Sequence, residues 1–304
     1  MTPIRVSRRT LLGAAATLPL AGGPLWAAAP MLGADNAPFH RFRLGDFEVT
    51  TLLAGTAVRP DPHTIFGLNV SDDTFAEVSA EANLPVDKAR FFFTPTVVNT
   101  GSELVLFDTG LDPAGITAAL SAAGYTPDQV DVVVLTHMHG DHIGGLSDAG
   151  TPTFPNARYV TGETEFDAWA EMGNEGFDTK VRPLSDQMER IAPDAEVLRG
   201  ITAVEAFGHT PGHMAYRLDS AGQSLLLAAD FANHYVWSLA HPDWEVSFDM
   251  DKAQAAATRR RLLDMLADER MPFIGYHMPF PAVGYVVRMG DGFSYVPESY
   301  QLSL

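Results

Sequence analysis

The most restrictive stretch of this 304-residue chain is VDVVVLTHMHGDHIGG, residues 130–145. Its first half is apolar and β-branched, and it reads as a buried strand. Its second half sets His137, His139, Asp141 and His142 within six positions. A covered strand that ends in four such groups calls for a rigid scaffold that displays polar side chains at strand ends. Without a ligand the four groups would repel or go unpaired. In extended chain, residues two apart point the same way, so His137 and His139 can address one cation together. Gly140 lets the chain turn and aims Asp141 and His142 at a neighbouring position. Neutral imidazole and carboxylate suit zinc and similar borderline metals.

The rest of the chain repeats a strand-and-helix rhythm. FHRFRLGDFEVTTLLAG predicts two strands around a Gly45-Asp46 turn, and TVVNTGSELVLFDTG predicts a hairpin turning at Gly101-Ser102. Between them lies a loop-rich region, residues 58–95, with a helix near Asp72–Ala82. PAGITAALSAAGY predicts a helix with Pro113 at its start and Gly124 at its end. The second half alternates again: ARYVTG, ITAVEAFG, MAYRLDS, QSLLLAAD and PFIGYH as strands, ETEFDAWAEM and DKAQAAATRRRLLDMLADE as helices. Two comparable halves with strands too apolar for double exposure imply an α/β arrangement with helices outside.

The 46% hydrophobic content provides for a sizeable core, and the formal charge of −18 with no basic stripe argues against a nucleic-acid partner. The absence of cysteine removes disulfides, thiolate metal sites and a cysteine nucleophile together. At the N-terminus, paired Arg8 and Arg9 precede an apolar run broken by Pro19, Gly22, Gly23 and Pro24 and then small residues. The run is short for a membrane span. It reads as a twin-arginine export signal over residues 1–29, with cleavage near Ala27–Ala29. A periplasmic, membrane-free domain over residues 30–304 is therefore expected.

Three more polar groups stand where hydrophobic runs stop: His213 in GHTPGHM, Asp230 at the end of SLLLAAD, and His277 at the end of PFIGYH. A carboxylate such as Asp230 can bridge two cations.

THMHGDHIGG matches the H-x-H-x-D-H signature of the metallo-β-lactamase superfamily, and GHTPGH, LAAD and GYH follow in that family's order. RLGDFEVTTLLAGT, VVNTGSELVLFDTG, LTHMHGDHIGGL, FGHTPGHMAYRL and HMPFPAVGYV resemble the methyl parathion hydrolase-like branch, which also holds lactonases and arylesterases. The resemblance implies an αββα sandwich of two mixed sheets with metals at one edge. It implies two divalent ions, zinc first, with manganese, cobalt or iron as alternatives. His137, His139 and His213 would hold one ion, Asp141, His142 and His277 the other, and Asp230 would bridge them. Asp108 in LFDTG matches a position behind the ligands, or is a turn carboxylate. His209 is expected to be structural. Asp141 would also orient a metal-bridging hydroxide, and homodimers occur in the family.

Trp169, Phe166 and Phe92 are the expected pocket aromatics, drawn from a set with Phe91, Phe93, Tyr235 and Trp237. With no Arg or Lys beside the ligands in the motif segments, a neutral ester or lactone is the expected substrate. An organophosphate triester comes second, and a β-lactam or thioester stays open because the motif reports the metal site rather than the acyl group. A metal-binding protein without turnover is the rival from another class.

Overall fold

The computed structural model describes residues 35–148 and 150–299. The export segment read from the sequence lies outside the described residues. Each half of the chain supplies one seven-stranded sheet. The first has the spatial order Phe39–Leu44, Phe47–Leu52, Thr96–Asn99, Leu104–Phe107, Val132–Leu135, Arg158–Gly162 and Met188–Ile191. Its hairpin members pair antiparallel. From Leu104–Phe107 onward the pairing is parallel, across helical connections. The second sheet runs Glu196–Leu198, Ile201–Glu205, Met214–Ser220, Gln223–Ala229, Phe273–Gly275, Val283–Met289 and Gly292–Pro297. It is antiparallel except where Gln223–Ala229 meets Phe273–Gly275 across the crossover helix Lys252–Glu269.

Strand alternation explains how the layers stack. Val132 and Val134 face the second sheet and join Ala203, Ala215, Leu225 and Leu227 in the inner core. Val133 and Leu135 face the other way, toward Ile116, Ala119 and Leu120 of helix Pro113–Ala122 and Phe166 and Trp169 of helix Glu163–Met172. Both faces of Val132–Leu135 are buried, which is why its run is uniformly apolar. This is the αββα sandwich expected from the sequence.

The loop-rich region is a third body of packing. Strands Gly55–Pro60 and Lys88–Phe93 form their own two-stranded ribbon, and helix Asp72–Glu81 lies between them in sequence. Phe66, Phe75, Phe91, Phe93, Trp237, Trp244 and Tyr276 build an aromatic cluster that fastens this ribbon to residues 234–248. Trp237 donates its indole N–H to Ser79 Oγ at 3.0 Å within it. No helix among the described residues is long and apolar enough to cross a membrane.

Candidate metal centre

Four strand ends meet at one edge of the sandwich. Val132–Leu135 delivers His137, His139, Asp141 and His142; the loop after Ile201–Glu205 delivers His209 and His213; Gln223–Ala229 delivers Asp230; Phe273–Gly275 delivers His277. Ala229 takes φ = 47° beside a register shift against the neighbouring strand. That left-handed step, costly for a residue with a Cβ, turns Asp230 out of the ladder. Two glycines permit close approach. A Cβ on Gly145 would sit 2.1 Å from the Thr109 carbonyl oxygen, and one on Gly212 would sit 2.2 Å from the Glu165 nitrogen.

The side chains converge as two groups. His137, His139 and His209 form one, and Asp141, His142, Asp230 and His277 form the other; within each, the candidate ligand atoms lie within 4.8 Å of one another. Asp230 spans both. Its Oδ2 is 3.1 Å from His277 Nε2, 3.5 Å from His209 Nε2 and 4.0 Å from His137 Nε2, and its Oδ1 is 3.4 Å from His142 Nε2.

The hydrogen bonds behind these rings assign their tautomers. Thr136 Oγ1 donates to Asp108 and so accepts from His137 Nδ1; His209 Nδ1 donates to Asp249 at 2.9 Å; His142 Nδ1 donates to Asp108 at 2.8 Å; His277 Nδ1 donates to the Phe92 carbonyl at 2.8 Å. The Nε2 atoms of His137, His209, His142 and His277 are thereby turned to the centre. His142 Nε2 and Asp230 Oδ1 are buried and make no hydrogen bond. His137 Nε2 and His209 Nε2 lie 3.1 and 2.9 Å from His139 Nδ1. Converging lone pairs at such distances repel unless a cation or a proton lies among them, so the donor set fits two divalent ions of the zinc type.

His213 is expected as a ligand and His209 as structural, and the structure groups His209 with His137 and His139. His213 Nδ1 donates to the Ala206 carbonyl, and His213 Nε2 accepts from the Asp230 backbone N–H at 3.0 Å. Both nitrogens are committed, and the ring props Asp230 from behind. His209, expected to be structural, supplies the third nitrogen of the first group. The two histidines sit four residues apart in one turn, and only the path of that turn decides which reaches the edge.

Three buried acids support the ligand loops. Asp108, at φ = 60°, accepts from Thr136 N and Thr136 Oγ1 as well as His142, so it is far more than a turn carboxylate. Asp249 accepts from His209 and from fully buried Arg259, at 2.7 Å. Glu165 accepts from Met138 N, Thr210 Oγ1 and Gly212 N, tying the HMH loop to the GHTPGH loop. The sequence reading missed Asp249, Arg259 and Glu165. A lone acid on the apolar face of ETEFDAWAEM was the available signal for Glu165; nothing in FDMD marked Asp249.

The electrostatics divide along the same line. Burial holds His137 well below the ordinary histidine range, and burial with the adjacent His209 brings His139 to about 3. At the other group burial also opposes charge, but Asp230, Asp108 and Asp141 drive His142 well above its range, and Asp230 and Asp141 take His277 to about 10. Burial would raise Asp141, yet His142 and His277 bring it to about 2. The first group offers bare lone pairs. The second holds protons that a cation would replace.

Above the centre opens a cavity of about 370 Å³, lined at its floor by His139, Gly140, Asp141, Asp230 and His277, and on its walls by Phe91, Phe93, Leu111, Phe248 and Arg59. The expected aromatics are elsewhere. Phe92 alternates to the opposite face of its strand from Phe91 and Phe93. Phe166 lies in the outer core under the Arg190 guanidinium, 3.7 Å away. Trp169 is buried edge-on behind His139, with ring centroids 5.6 Å apart. It braces a candidate ligand and does not line the cavity. The walls also include a cation, contrary to the expectation that an anion would find none.

A family model for the metallo-beta-lactamase superfamily matches residues 94–277, more than half of the sequence. The chain belongs to this superfamily. Among curated relatives, the N-acyl homoserine lactonase of Bacillus cereus is 24% identical over 184 residues, 60% of this chain and 66% of that protein. The probable metallo-hydrolase YybB of Bacillus subtilis (strain 168) is 30% identical over 129 residues, 39% of this chain and 53% of that protein. The chain thus spans about half to two thirds of the length of the curated relatives it matches. Among solved structures, AidC, described as a dizinc quorum-quenching lactonase, superposes with a TM-score of 0.81 at 24% identity, over 86% of this chain and 98% of that one. The hydrolase AbOPH gives 0.80 at 23%, over 88% and 99%. These two likenesses establish the shared fold.

Proposed function

We propose that this protein is a dinuclear metal-dependent hydrolase of lactones and aryl esters, with organophosphate triesters as a second substrate class. One observation carries the reading: Asp230 is shared between two groups of converging imidazole and carboxylate donors at the floor of an apolar cavity. His137, His139 and His209 are assigned to one cation, Asp141, His142 and His277 to the other, and Asp230 to both. When bound, such a pair supplies a water activated at neutral pH and Lewis-acid polarisation of the scissile carbonyl or phosphoryl oxygen.

The chain's own residues set the rest. Asp141 is the ligand-group carboxylate with a partly exposed side chain in the cavity, 3.3 Å from His277 Nε2. It can orient the incoming water and pass a proton to the departing alkoxide. Tyr276 donates its hydroxyl to the Asp141 carbonyl and packs 3.9 Å from the His142 ring, fixing that loop. Phe91 and Phe93 stand edge-on to His277, with centroids 5.6 Å away, and keep bulk water from the reacting carbonyl. Relatives named N-acyl homoserine lactonases favour placing lactones first.

The test is a panel of N-acyl lactones, aryl esters, phosphotriesters, phosphate monoesters and β-lactams, run on zinc- and manganese-loaded protein. Lactones or aryl esters should give the highest kcat/KM. A phosphate monoester or a β-lactam well above all of them would overturn the assignment.

A further inference from the structure

Arg59 is the sole Lys or Arg among the described residues that line the cavity. Its position follows from the ribbon's register. Gly55 pairs with Phe93, Ala57 with Phe91 and Arg59 with Ala89, so Arg59 shares the cavity-facing side with both phenylalanines. Two residues of strand place its row about 7 Å beyond the Phe91 row, on the side away from Phe93. Ala89 opposite is small, which leaves the guanidinium free to lie over the cavity mouth.

The charge is also uncommitted. Acids outnumber Lys and Arg by 38 to 20 in this chain, and Arg41, Arg158, Arg182, Arg190, Arg217, Arg259, Arg260 and Arg288 all sit within 4.0 Å of a carboxylate. Arg59 has no ion-pair or side-chain hydrogen-bond partner among the described residues. In so acidic a protein, an exposed guanidinium left open at a cavity mouth is available to an acid carried by a ligand. Leu111 and Phe248 complete the same mouth and are 42% and 39% exposed, so the approach is apolar with one cation.

We propose that Arg59 is a specificity-determining residue that selects esters or lactones bearing a carboxylate at the end remote from the scissile bond. The inference rests on the hydrolase reading above and narrows its substrate class: neutral at the reacting carbonyl, apolar in the middle where Phe91 and Phe248 pack, anionic at the far end. A planar guanidinium meets a carboxylate through two parallel N–H donors, which favours this acid over a point dipole. Because the pair would form at an exposed rim, its effect is modest and screened by salt.

The experiment compares the 4-nitrophenyl monoester of hexanedioic acid with 4-nitrophenyl heptanoate on zinc-loaded protein. Wild type should favour the acid-bearing ester in kcat/KM at low ionic strength. Arg59→Met should cut that preference about fivefold, leaving the neutral ester within about twofold. Arg59→Lys should keep part of it, Arg59→Glu should invert it, and added salt should shrink the wild-type preference. Calorimetric binding of hexanedioate against heptanoate to the same proteins separates the two readings. If neither ester turns over but Arg59→Met still weakens hexanedioate selectively, the hydrolase assignment fails and the Arg59 assignment stands. A preference unchanged by Arg59→Met, in both rates and binding, overturns the Arg59 assignment whatever the turnover.

Discussion

Beneath the floor of the cavity, His142 has no exposed surface and its Nδ1 is held by Asp108, while on the wall Leu111 and Phe248 leave about two fifths of their surface in water. His277 is held from behind by the Phe92 carbonyl, His142 by Asp108 and His209 by Asp249, while His139 is backed by the Trp169 ring. Of the wall, Arg59, Phe91 and Phe93 hang from a separate two-stranded ribbon joined to the body through an aromatic cluster. Directional polar bonds fix atoms to within tenths of an ångström, which ligand convergence requires. Apolar contacts fix a surface and tolerate exchange of its members. Under the proposed function, chemistry would belong to the first region and selectivity to the second, and variants in the two should fail in different ways.

The largest effect is expected from the floor. Purified protein should carry about two transition metals per chain, and chelation should abolish turnover until zinc or manganese is returned. Asp230→Ala should lower loading at both groups. Full occupancy in that variant, read by elemental analysis, would disprove the shared-carboxylate assignment.

The histidine pair sharpens the comparison within the floor itself. His209→Ala should deplete the first group of metal and with it the activity. His213→Ala should keep the metal but leave the Asp230 N–H and the Ala206 carbonyl unpaired, at about 1–3 kcal/mol each. Metal content and melting temperature measured on both variants decide between them; equal metal loss in the two would return His213 to the ligand set.

Glu165→Gln tests the clamp between the two histidine loops. Its three partners all donate, so an amide nitrogen in place of one carboxylate oxygen faces at least one donor. Metal affinity at the first group should weaken about 10- to 100-fold, the usual cost of disturbing a ligand's support. Titration with a competing chelator measures it. Unchanged affinity would make Glu165 a packing residue only.

A last pair of variants distinguishes a brace from a wall. Trp169→Ala should cost about 3–5 kcal/mol of stability and loosen metal held by His139, since the indole packs behind that ring. Phe248→Ala should leave metal and stability near wild type and raise KM for hydrophobic esters about fivefold, or ~1 kcal/mol of lost partial burial. Should Trp169→Ala instead raise KM with metal content intact, the indole would belong to the wall after all.

The sequence by itself determined a layered α/β scaffold and the residue types of its functional site, while the αββα sandwich came from the family resemblance. Uniformly apolar strands such as VVVL can only be covered on both faces, and polar groups where those strands stop can only collect at a sheet edge. Both are local statements, readable from periodicity and from residue type. The tertiary structure decided everything that depends on direction at a distance. His209 and His213 are chemically identical and four residues apart, and only the path of the turn over Gly212 sets His209 beside His137 and His139 and the His213 Nε2 against the Asp230 backbone N–H. Phe91 and Phe93 face the cavity while Phe92 does not, because a strand alternates, but which face looks at the metal edge depends on how the ribbon docks. Arg59 lies 78 positions before His137 in the sequence and outside every motif; only the pairing of Gly55–Pro60 with Lys88–Phe93 brings its charge to the mouth. Ligand type is a property of residues, whereas the choice of nitrogen, wall and rim is a property of packing between segments that the chain's local pattern does not encode.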